Sequence, residues 1–400
     1  MIKEDIRCTH IKDIYDIWSK ARKDWDTAAR EDIDFYLGNH FSQSEITELE
    51  SRNQSAVPLD RLYSAIELFK AMATSKTPRF SAVAREDSDN RLSMVWRTML
   101  EYIWDISDGN EVFKQAVHDY AITGLGYFYA YLDKEADYGR GEVKFTHLDP
   151  FKVYVDPNSR NRYFDDASGI IVSNVLTRMQ LLDTYPELGM PMEGSEDDTP
   201  LIEQIEYIND EDDWPSPTNS DSVNAFTPDK VKDKDTSELG YKYRLLEHFS
   251  KVKVPFYRIL EQRPGTEPRE SLLNQEQFTA LMEQPGVQQA IEQGFIQFAE
   301  VMQTRIKVTC CLGQIVLYEH VLNSDKYPVV PVPNVWTGTP YPMSDVGKNK
   351  SYQRYLNKVT SLITAHAQAS AGLKLLIPEG SVHDVEELER DWANPNATIE

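Results

Sequence analysis

The sequence has few residues that could form disulfide cross-links, metal sites or membrane-spanning segments. Only three of its 400 residues are cysteine, Cys8, Cys310 and Cys311, which is too few for a disulfide framework. Cys310 and Cys311 are adjacent in a predicted strand, where their side chains point to opposite faces, so we expect packing residues rather than metal ligands. There is no run of 18 apolar residues and no apolar signal region at the N-terminus. We therefore expect a soluble protein made in the cytoplasm.

The motifs of common enzyme classes are also missing. The Gly347-Lys348 pair has Pro342 where a phosphate-binding loop needs its first glycine. The Gly124-Leu125-Gly126 stretch lacks the third glycine of a dinucleotide site and follows a predicted helix. There is no His-Glu-x-x-His, Cys-x-x-Cys or Gly-x-Ser-x-Gly. The sequence therefore predicts no catalytic, cofactor-binding or metal-binding residues.

Two carboxylates keep one enzymatic alternative open. Asp149 and Asp156 bracket a short predicted strand, and a carbohydrate-active hydrolase needs two carboxylates in different environments. Each is followed by proline, however, and aspartate before proline is a typical turn residue. We interpret both as turn residues, and Asp165 and Asp166 as loop residues.

The charge is strongly acidic, with 65 Asp and Glu against 42 Lys and Arg and a net charge of −23. Tight binding to nucleic acid without sequence preference needs clustered Lys and Arg, which this balance argues against. A protein that handles DNA without holding it remains compatible with the charge. Much of the acidic excess lies in residues 191–240, which we predict to be a long mobile surface loop.

The order of predicted elements indicates an α+β fold. Apolar periodicity predicts helices over residues 6–37, 57–73, 89–107, 110–122, 178–185 and 272–284, and strands over 126–133, 141–148, 151–155 and 170–176, with two more between 241 and 260. Residues 287–299 continue as a helix, 301–322 form a β-hairpin turning at Leu312-Gly313, and 327–342 are proline-rich and extended. A hairpin between two helical limbs indicates a protruding module rather than a core.

The last predicted helix, residues 348–371, has no internal proline and could be capped by Ser344 or Asp345. One arc of it is apolar: Tyr352, Tyr355, Leu356, Val359, Leu362, Ile363 and His366. The other side carries a basic and amide stripe: Lys350, Arg354, Asn357, Lys358, Ser361 and Gln368. Taken alone, this pattern is equally typical of a surface helix with a solvated polar side.

Several segments together resemble the portal proteins of tailed bacteriophages. These segments are LDPFKVYVDPNSR, IKVTCCLGQIVLYEH, YPVVPVPNVW and SYQRYLNKVTSLITAHAQAS. Asp165-Asp166-Ala167 follows Asp156-Pro157 at a spacing similar to the family's Asp-Asp-Ala stretch. In the last helix, Gln353, Asn357 and Ser361 match the Gln, Asn and Ser that the family places at four-residue steps.

The resemblance implies a portal-like α+β fold with a helical and β wing, a two-helix stem and a small β-containing clip. Residues 1–270 would form the wing, 272–300 the first stem limb, 301–342 the clip, 343–371 the second stem helix and 372–400 the start of a returning wing segment. Gln284-Pro285-Gly286 interrupts the first limb. We also expect the chain to continue beyond Glu400.

The same resemblance implies a structural subunit, not an enzyme, in a homo-oligomeric ring that is usually a dodecamer at one capsid vertex. Double-stranded DNA would pass through the ring without sequence specificity during packaging and ejection. Expected partners are the terminase large subunit, head–tail adaptor and tail proteins, the major capsid protein and scaffolding protein, with no membrane. The protein would be assembled in the host cytoplasm and end in the virion. A head–tail adaptor is the other alternative.

Two groups of residues are predicted to serve this function. Lys350, Arg354, Asn357, Lys358 and Ser361 would line the channel or contact a neighbouring subunit in the stem. Arg305, Lys307 and Tyr318 would belong to the clip. We hypothesise that changing Lys350, Arg354 and Lys358 to Glu alters DNA retention or ring assembly.

Overall fold

The computed structural model describes residues 5–51, 56–84, 90–190, 200–205, 241–261, 269–283 and 287–371. The predicted acidic loop therefore lies outside the described residues except for 200–205, and so does the segment 372–400. The chain divides into two compact units. The first comprises Met1–Asn39 and Asp60–Ser351, and the second His40–Leu59 and Tyr352–Glu400.

Helices and strands largely follow the predicted order, but residues 272–274, predicted to begin a helix, end a strand instead. The helices are α1 (Ile6–Tyr36), α2 (Gln43–Ser51), α3 (Leu62–Ala73), α4 (Asn90–Ile106), α5 (Gly109–Ile122), the single turn α6 (Ala136–Gly139), α7 (Arg178–Thr184), α8 (Gln275–Met282), α9 (Val287–Glu292) and α10 (Asp345–Ala371). The strands are β1 (Leu125–Asp133), β2 (Glu142–His147), β3 (Val153–Val155), β4 (Gly169–Thr177), β5 (Lys242–Glu261), β6 (Arg269–Asn274), β7 (Ile296–Leu312), β8 (Ile315–Leu322) and β9 (Val329–Pro333). The predicted α+β class is confirmed.

The first unit is built on two antiparallel sheets. The small sheet has the order β2-β1-β9, so the proline-rich β9 occupies an edge, where missing N–H groups are tolerated. The large sheet has the order β3-β4-β5-β7-β8, with β6 also paired to β5. The prediction that prolines would keep residues 327–342 out of a central strand is therefore confirmed.

Strand β5 is one continuous strand of 20 residues, so the prediction of two strands between residues 241 and 260 is wrong. It pairs with β7 along nearly its whole length, which keeps it extended. On its other side, β4 pairs with residues 242–250 and β6 with residues 256–261. Pro255 lies between these two stretches, where the missing N–H of proline interrupts neither ladder.

The β7–β8 hairpin forms as predicted, with Gly313 at a φ of 58° in its turn. The expectation that this hairpin lies wholly outside the core is wrong for β7. Ile306 and Val308 belong to the same buried cluster as Leu125 and Val153, because β7 lies in the interior of the large sheet. The predicted helix also ends early, at Glu292, since pairing with β5 draws the following residues into β7.

The core of the first unit has apolar layers on both faces of the large sheet. Ile170 and Val172 of β4 pack toward the small sheet, in a cluster that includes Tyr127 of β1. Ile171 points the other way and packs against α1 through Tyr15. Successive side chains of β4 thus pack into the apolar layers on both faces of the large sheet.

The N-terminal helices agree with their predicted spans except at α3. Its helix begins at Leu62, and residues 57–59 before it are not helical. Proline at position 58 and aspartate at position 60 favour this late start, because Asp60 accepts a hydrogen bond from the Tyr63 N–H. Residues 57–59 belong to the second unit, where side chains of α10 bind their backbone.

The Gly-Leu-Gly stretch before β1 has a packing role. A Cβ on Gly126 would lie 2.4 Å from the carbonyl oxygen of Ala116, so only glycine lets α5 approach the strand. Gly124 has a φ of 85°, and a Cβ there would meet the backbone of Met343 at 2.8 Å. Among the described residues, no helix is both long enough and apolar enough to cross a membrane.

Candidate functional site

The second unit is held together by a buried row of polar side chains on α10. Gln353, Asn357 and Ser361 are 4%, 1% and 3% exposed, and their four-residue spacing places them on one face of the helix. Each contacts the segment of residues 57–59. We call these three residues the polar row.

Asn357 is the centre of the polar row. Its Oδ1 accepts hydrogen bonds from the Leu59 N–H at 3.2 Å and from Gln353 Nε2 at 2.9 Å. The amide Nδ2 therefore donates to His40 Nδ1, which lies 3.0 Å away. Both ends of this buried amide are satisfied, as a buried polar group requires.

The flanking residues bind the backbone of the same segment. Gln353 Nε2 donates to the Leu59 carbonyl oxygen at 2.7 Å, and the Val57 N–H donates to Ser361 Oγ at 3.4 Å. A segment containing proline cannot form a regular ladder, so side chains of α10 supply its hydrogen bonds. The amide and hydroxyl groups of these three side chains thus supply donors and acceptors to the backbone of residues 57–59.

The faces of α10 are thus the reverse of an ordinary amphipathic helix. The amide side is buried, whereas Tyr352, Tyr355, Leu362 and Ile363 are 75%, 69%, 50% and 64% exposed. An apolar stripe of this size on a surface indicates a contact with another molecule. The alternative of a surface helix with a solvated polar side does not fit the buried polar row.

Of the five predicted stem residues, Asn357 and Ser361 are therefore used inside the chain. Lys350 is also engaged, because its Nζ lies 2.6 Å from Asp32 Oδ1 and 2.8 Å from Glu31 Oε2 within the first unit. Asp32 also accepts a hydrogen bond from Ser344. Burial raises the pKa of Asp32, and the hydrogen bonds from Lys350 and Ser344 oppose that rise.

Ser344 is the residue that caps α10, as predicted. Its Oγ accepts a hydrogen bond from the Gly347 N–H at 2.7 Å and donates to Asp32 Oδ2 at 2.5 Å. This one buried hydroxyl therefore both begins the helix and fixes it to α1.

The remaining two stem residues, Arg354 and Lys358, have exposed side chains. They line a cleft of about 440 Å³ in the second unit together with Glu45 and Glu48 of α2. The cleft therefore has acidic and basic walls. The assignment of Arg354 and Lys358 to a channel or subunit interface stays a prediction.

The three predicted clip residues lie on β7 and β8 and make contacts within the large sheet. Lys307 Nζ lies 2.8 Å from Glu319, and Arg305 stacks over the ring of Phe256 at 4.5 Å. Tyr318 donates a hydrogen bond to the Glu247 carboxylate. Burial raises the pKa of both groups of that pair. The clip assignment itself stays a prediction.

The Asp-Asp-Ala stretch organises the loop between β3 and β4. Asp166 accepts hydrogen bonds from Ser159 Oγ and the Arg160 N–H, both at 2.6 Å. The carbonyl oxygen of the fully buried Ala167 accepts from Tyr327 Oη at 2.8 Å. The hydrogen bonds of this stretch thus hold the loop together and connect it to Tyr327, just before β9.

The carboxylates considered for hydrolysis act as turn residues. Asp149 Oδ1 accepts from the Phe151 N–H and Asp156 Oδ1 from the Asn158 N–H, each at 2.9 Å. Burial alone would raise the pKa of Asp156, but hydrogen bonds from Ser168 and Asn158 lower it overall. An ionised carboxylate of this kind is a poor general acid.

The sequence patterns identified the row of Gln, Asn and Ser but not what it binds. His40 was missed as a partner, and so were residues 57–59. The available signal was the i, i+4, i+8 spacing, which puts three polar residues on one helix face between exposed aromatic residues.

The family model described as phage P22-like portal protein matches residues 12–400. A search of curated proteins finds no match. The family match covers both units and every element described above except the first six residues of α1. The chain therefore belongs to the phage P22-like portal protein family.

Proposed function

We propose that this chain is a structural portal subunit whose copies form a ring around a channel for double-stranded DNA. The observation that carries the proposal is the family match over residues 12–400. In this role the ring occupies one vertex of the capsid and passes DNA during packaging and ejection. The chain is a conduit subunit and not an enzyme.

The apolar surface of α4 supports assembly with further copies. Leu92, Val95, Trp96 and Met99 are 54%, 55%, 51% and 46% exposed, and their spacing of three and four residues forms one stripe. None of the 17 residues of α4 is buried. In a ring, a neighbouring copy covers this stripe, and a similar contact covers the apolar stripe of α10.

The acidic charge supports transport rather than tight binding. A protein with a net charge of −23 repels the phosphates of DNA on balance. Each phosphate contact made by Lys or Arg would add affinity and slow the passage of DNA. Arg354 and Lys358 are then either sparse channel contacts or contacts to an acidic neighbouring subunit.

The finer assignments follow from the same proposal. Residues 1–270 form the wing, 272–300 and 343–371 the stem, and 301–342 the clip. The clip docks the terminase large subunit and later head–tail adaptor or tail proteins, while the outer surface meets the major capsid and scaffolding proteins. The ring is a dodecamer assembled in the host cytoplasm and retained at the portal vertex of the virion.

The oligomeric state tests the proposal directly. Native mass measurement and negative-stain electron microscopy of the purified protein are expected to give closed rings of a dozen subunits. A carbohydrate-active hydrolase would instead remain a monomer or dimer and cleave an uncharged polymer. A protein that stays monomeric at high concentration and cleaves such a polymer would contradict the portal proposal and support the hydrolase.

A charge on the α4 stripe is expected to prevent ring formation. Trp96→Glu places a carboxylate in the apolar contact, where an unpaired charge is costly. The variant should stay monomeric at concentrations at which the parent protein forms rings, with an unchanged circular dichroism spectrum. The measurement is sedimentation velocity at matched concentrations.

The matched control for that variant is Arg97→Gln. It changes the net charge by the same −1 and lies well around the helix from the stripe at 100° per residue. Within the described part of the chain, Arg97 forms an exposed ion pair with Glu101, which contributes little. Rings from Trp96→Glu, or loss of rings in both variants, would show that this stripe is not a subunit contact.

Reversing the charge of Arg354 or Lys358 tests the role of these residues. It leaves in place Lys350, whose ion pair with Asp32 stabilises the first unit. Arg354→Glu and Lys358→Glu are each expected to change the amount of DNA retained in nuclease-treated particles or the yield of rings. The control Lys134→Glu makes the same charge change at an exposed position of the first unit, outside α10. If both variants match the parent protein in DNA content and ring yield, these residues face neither DNA nor a neighbour.

A further inference from the structure

Two of the three cysteines face each other in the core of the first unit. The Sγ atoms of Cys8 and Cys311 lie 2.8 Å apart, and the residues are 1% and 2% exposed. Cys8 is in the first turn of α1, whereas Cys311 is near the end of β7. They belong to one apolar cluster with Ile11 and Tyr15, and both are free thiols.

The third cysteine is excluded from this contact by the strand geometry. Cys310 packs on the opposite side of the sheet, in a cluster with Leu181 and Tyr243. Cys310 and Cys311 are consecutive in the regular ladder of β7 with β5, so their side chains point to opposite faces of the sheet. The chain therefore contains one close thiol pair and one isolated thiol.

The distance between the paired sulfurs requires little movement for a bond to form. A disulfide bond is about 2.05 Å long, so the sulfurs would approach by about 0.8 Å. Helix α1 and the large sheet, which carry the two cysteines, already pack together through Tyr15 of α1 and Ile171 of β4. Within the core, the two sulfurs therefore need only this small approach to reach bonding distance.

The two thiols also differ in reactivity. Cys8 lies at the N-terminus of a helix, which favours a thiolate. The contact between the two thiols lowers the pKa of Cys8, and the same contact, with burial, raises the pKa of Cys311. Cys8 is thus the nucleophile of the pair and Cys311 the thiol that completes the bond.

We propose that Cys8 and Cys311 form a reversible disulfide that joins α1 to the large sheet when the protein meets a low-molecular-weight disulfide such as oxidised glutathione. The Cys8 thiolate attacks one sulfur of the oxidant and releases one thiolate. Cys311 then loses its proton to that thiolate and attacks Cys8 Sγ, which releases a second thiolate. The protein loses two electrons and two protons, and one oxidant disulfide becomes two thiols.

Access to the buried pair requires the first turn of α1 to open. That turn is held by Arg7, which pairs with Asp5 at 2.7 Å and with Glu319 at 3.0 Å. Arg7 is half exposed, so these pairs stabilise the turn only weakly. Opening of one terminal turn is a low-energy event compared with global unfolding.

The proposal does not depend on ring assembly or on passage of DNA. It gives the protein a covalent staple in oxidising surroundings, where disulfides persist, and none in a reducing cell interior. The staple would tie the N-terminal helix to a strand about three hundred residues away in the sequence.

The test is a count of reactive thiols in the full-length protein. Protein incubated with oxidised glutathione is denatured without reductant and labelled with a maleimide polymer that shifts its mobility on a gel. The parent protein should fall from three labels to one and regain three after dithiothreitol. Peptide mass mapping should identify the linked pair as Cys8 and Cys311, lighter by two hydrogen atoms.

Serine variants give matched controls. Oxidised Cys310→Ser should take no label, and Cys8→Ser should keep two. Cys311→Ser should take one, because Cys8 then remains as the glutathione adduct that Cys311 would otherwise release. Three labels on the oxidised parent protein, a bridge that contains Cys310, or glutathione adducts alone would overturn the proposal. Peptide mapping of the parent protein decides the question even if a serine variant fails to fold.

Discussion

Replacing Arg22 by methionine is expected to lower the free energy of unfolding by about 3–5 kcal/mol, the range for breaking a buried charge network. Arg22 is 2% exposed, and its guanidinium donates to the carbonyl oxygens of Val153 at 2.6 Å and Phe151 at 2.8 Å. It also pairs with Asp26 at 3.0 Å and lies 3.8 Å from the ring of Tyr154. Methionine would leave these carbonyls and the Asp26 carboxylate without their donor.

Urea unfolding followed by tryptophan fluorescence measures this loss. The control Lys23→Met removes the same charge at the next, exposed position and should change stability by less than about 0.5 kcal/mol. Arg22→Lys should recover only part of the loss, because an ammonium group cannot reproduce the planar fork of donors. Equal stability of the Arg22 and Lys23 variants would contradict the proposed role of Arg22.

Replacing Asn357 by leucine is the second change with a large expected effect. Leucine has a similar volume but leaves the Leu59 N–H, the Gln353 amide and His40 without the partner that Asn357 provides. An unsatisfied buried polar group costs about 1–3 kcal/mol, so we expect a loss of about 3 kcal/mol for the second unit. This corresponds to about 100-fold faster hydrogen exchange, and so to weaker protection, of the backbone amides that the polar row binds.

Hydrogen exchange of the amides at Val57 and Leu59 measures that protection locally. The control Lys358→Met changes the neighbouring residue of α10, whose side chain is exposed, and should leave exchange at residues 57–59 unchanged. Ser361→Ala should have a smaller effect than Asn357→Leu, because it removes a single bond of 3.4 Å. Unchanged exchange in Asn357→Leu would mean that the polar row does not hold this segment.

The fold was largely predictable wherever local periodicity decides the structure. Helices α1, α4 and α5 and the pair β1 and β2 have strong periodicity and form as expected. Predictions failed where distant pairing decides instead. Strand β5 is continuous because β7 pairs along it, and residues 296–299 become strand for the same reason. Neither fact is encoded in a short window of sequence.

The candidate site was predictable in identity but not in orientation. Gln353, Asn357 and Ser361 were selected as a group, yet periodicity alone places apolar residues inside and polar residues outside. The extended residues 57–59 reverse this rule, because their backbone groups need side-chain partners that apolar residues cannot supply. Without knowing that this segment lies against α10, the reversal cannot be derived.

The packing of α1 against elements near the other end of the chain has a consequence during synthesis. Trp25 donates a hydrogen bond to the carbonyl oxygen of Pro342, and Cys8, Ile11 and Tyr15 are buried with Cys311. A ribosome that adds about 5–20 residues per second delivers these partners roughly 15–60 s after α1 emerges. During that interval the apolar side of the first helix has none of these partners, and the first unit closes only when β7, β8 and the start of α10 arrive.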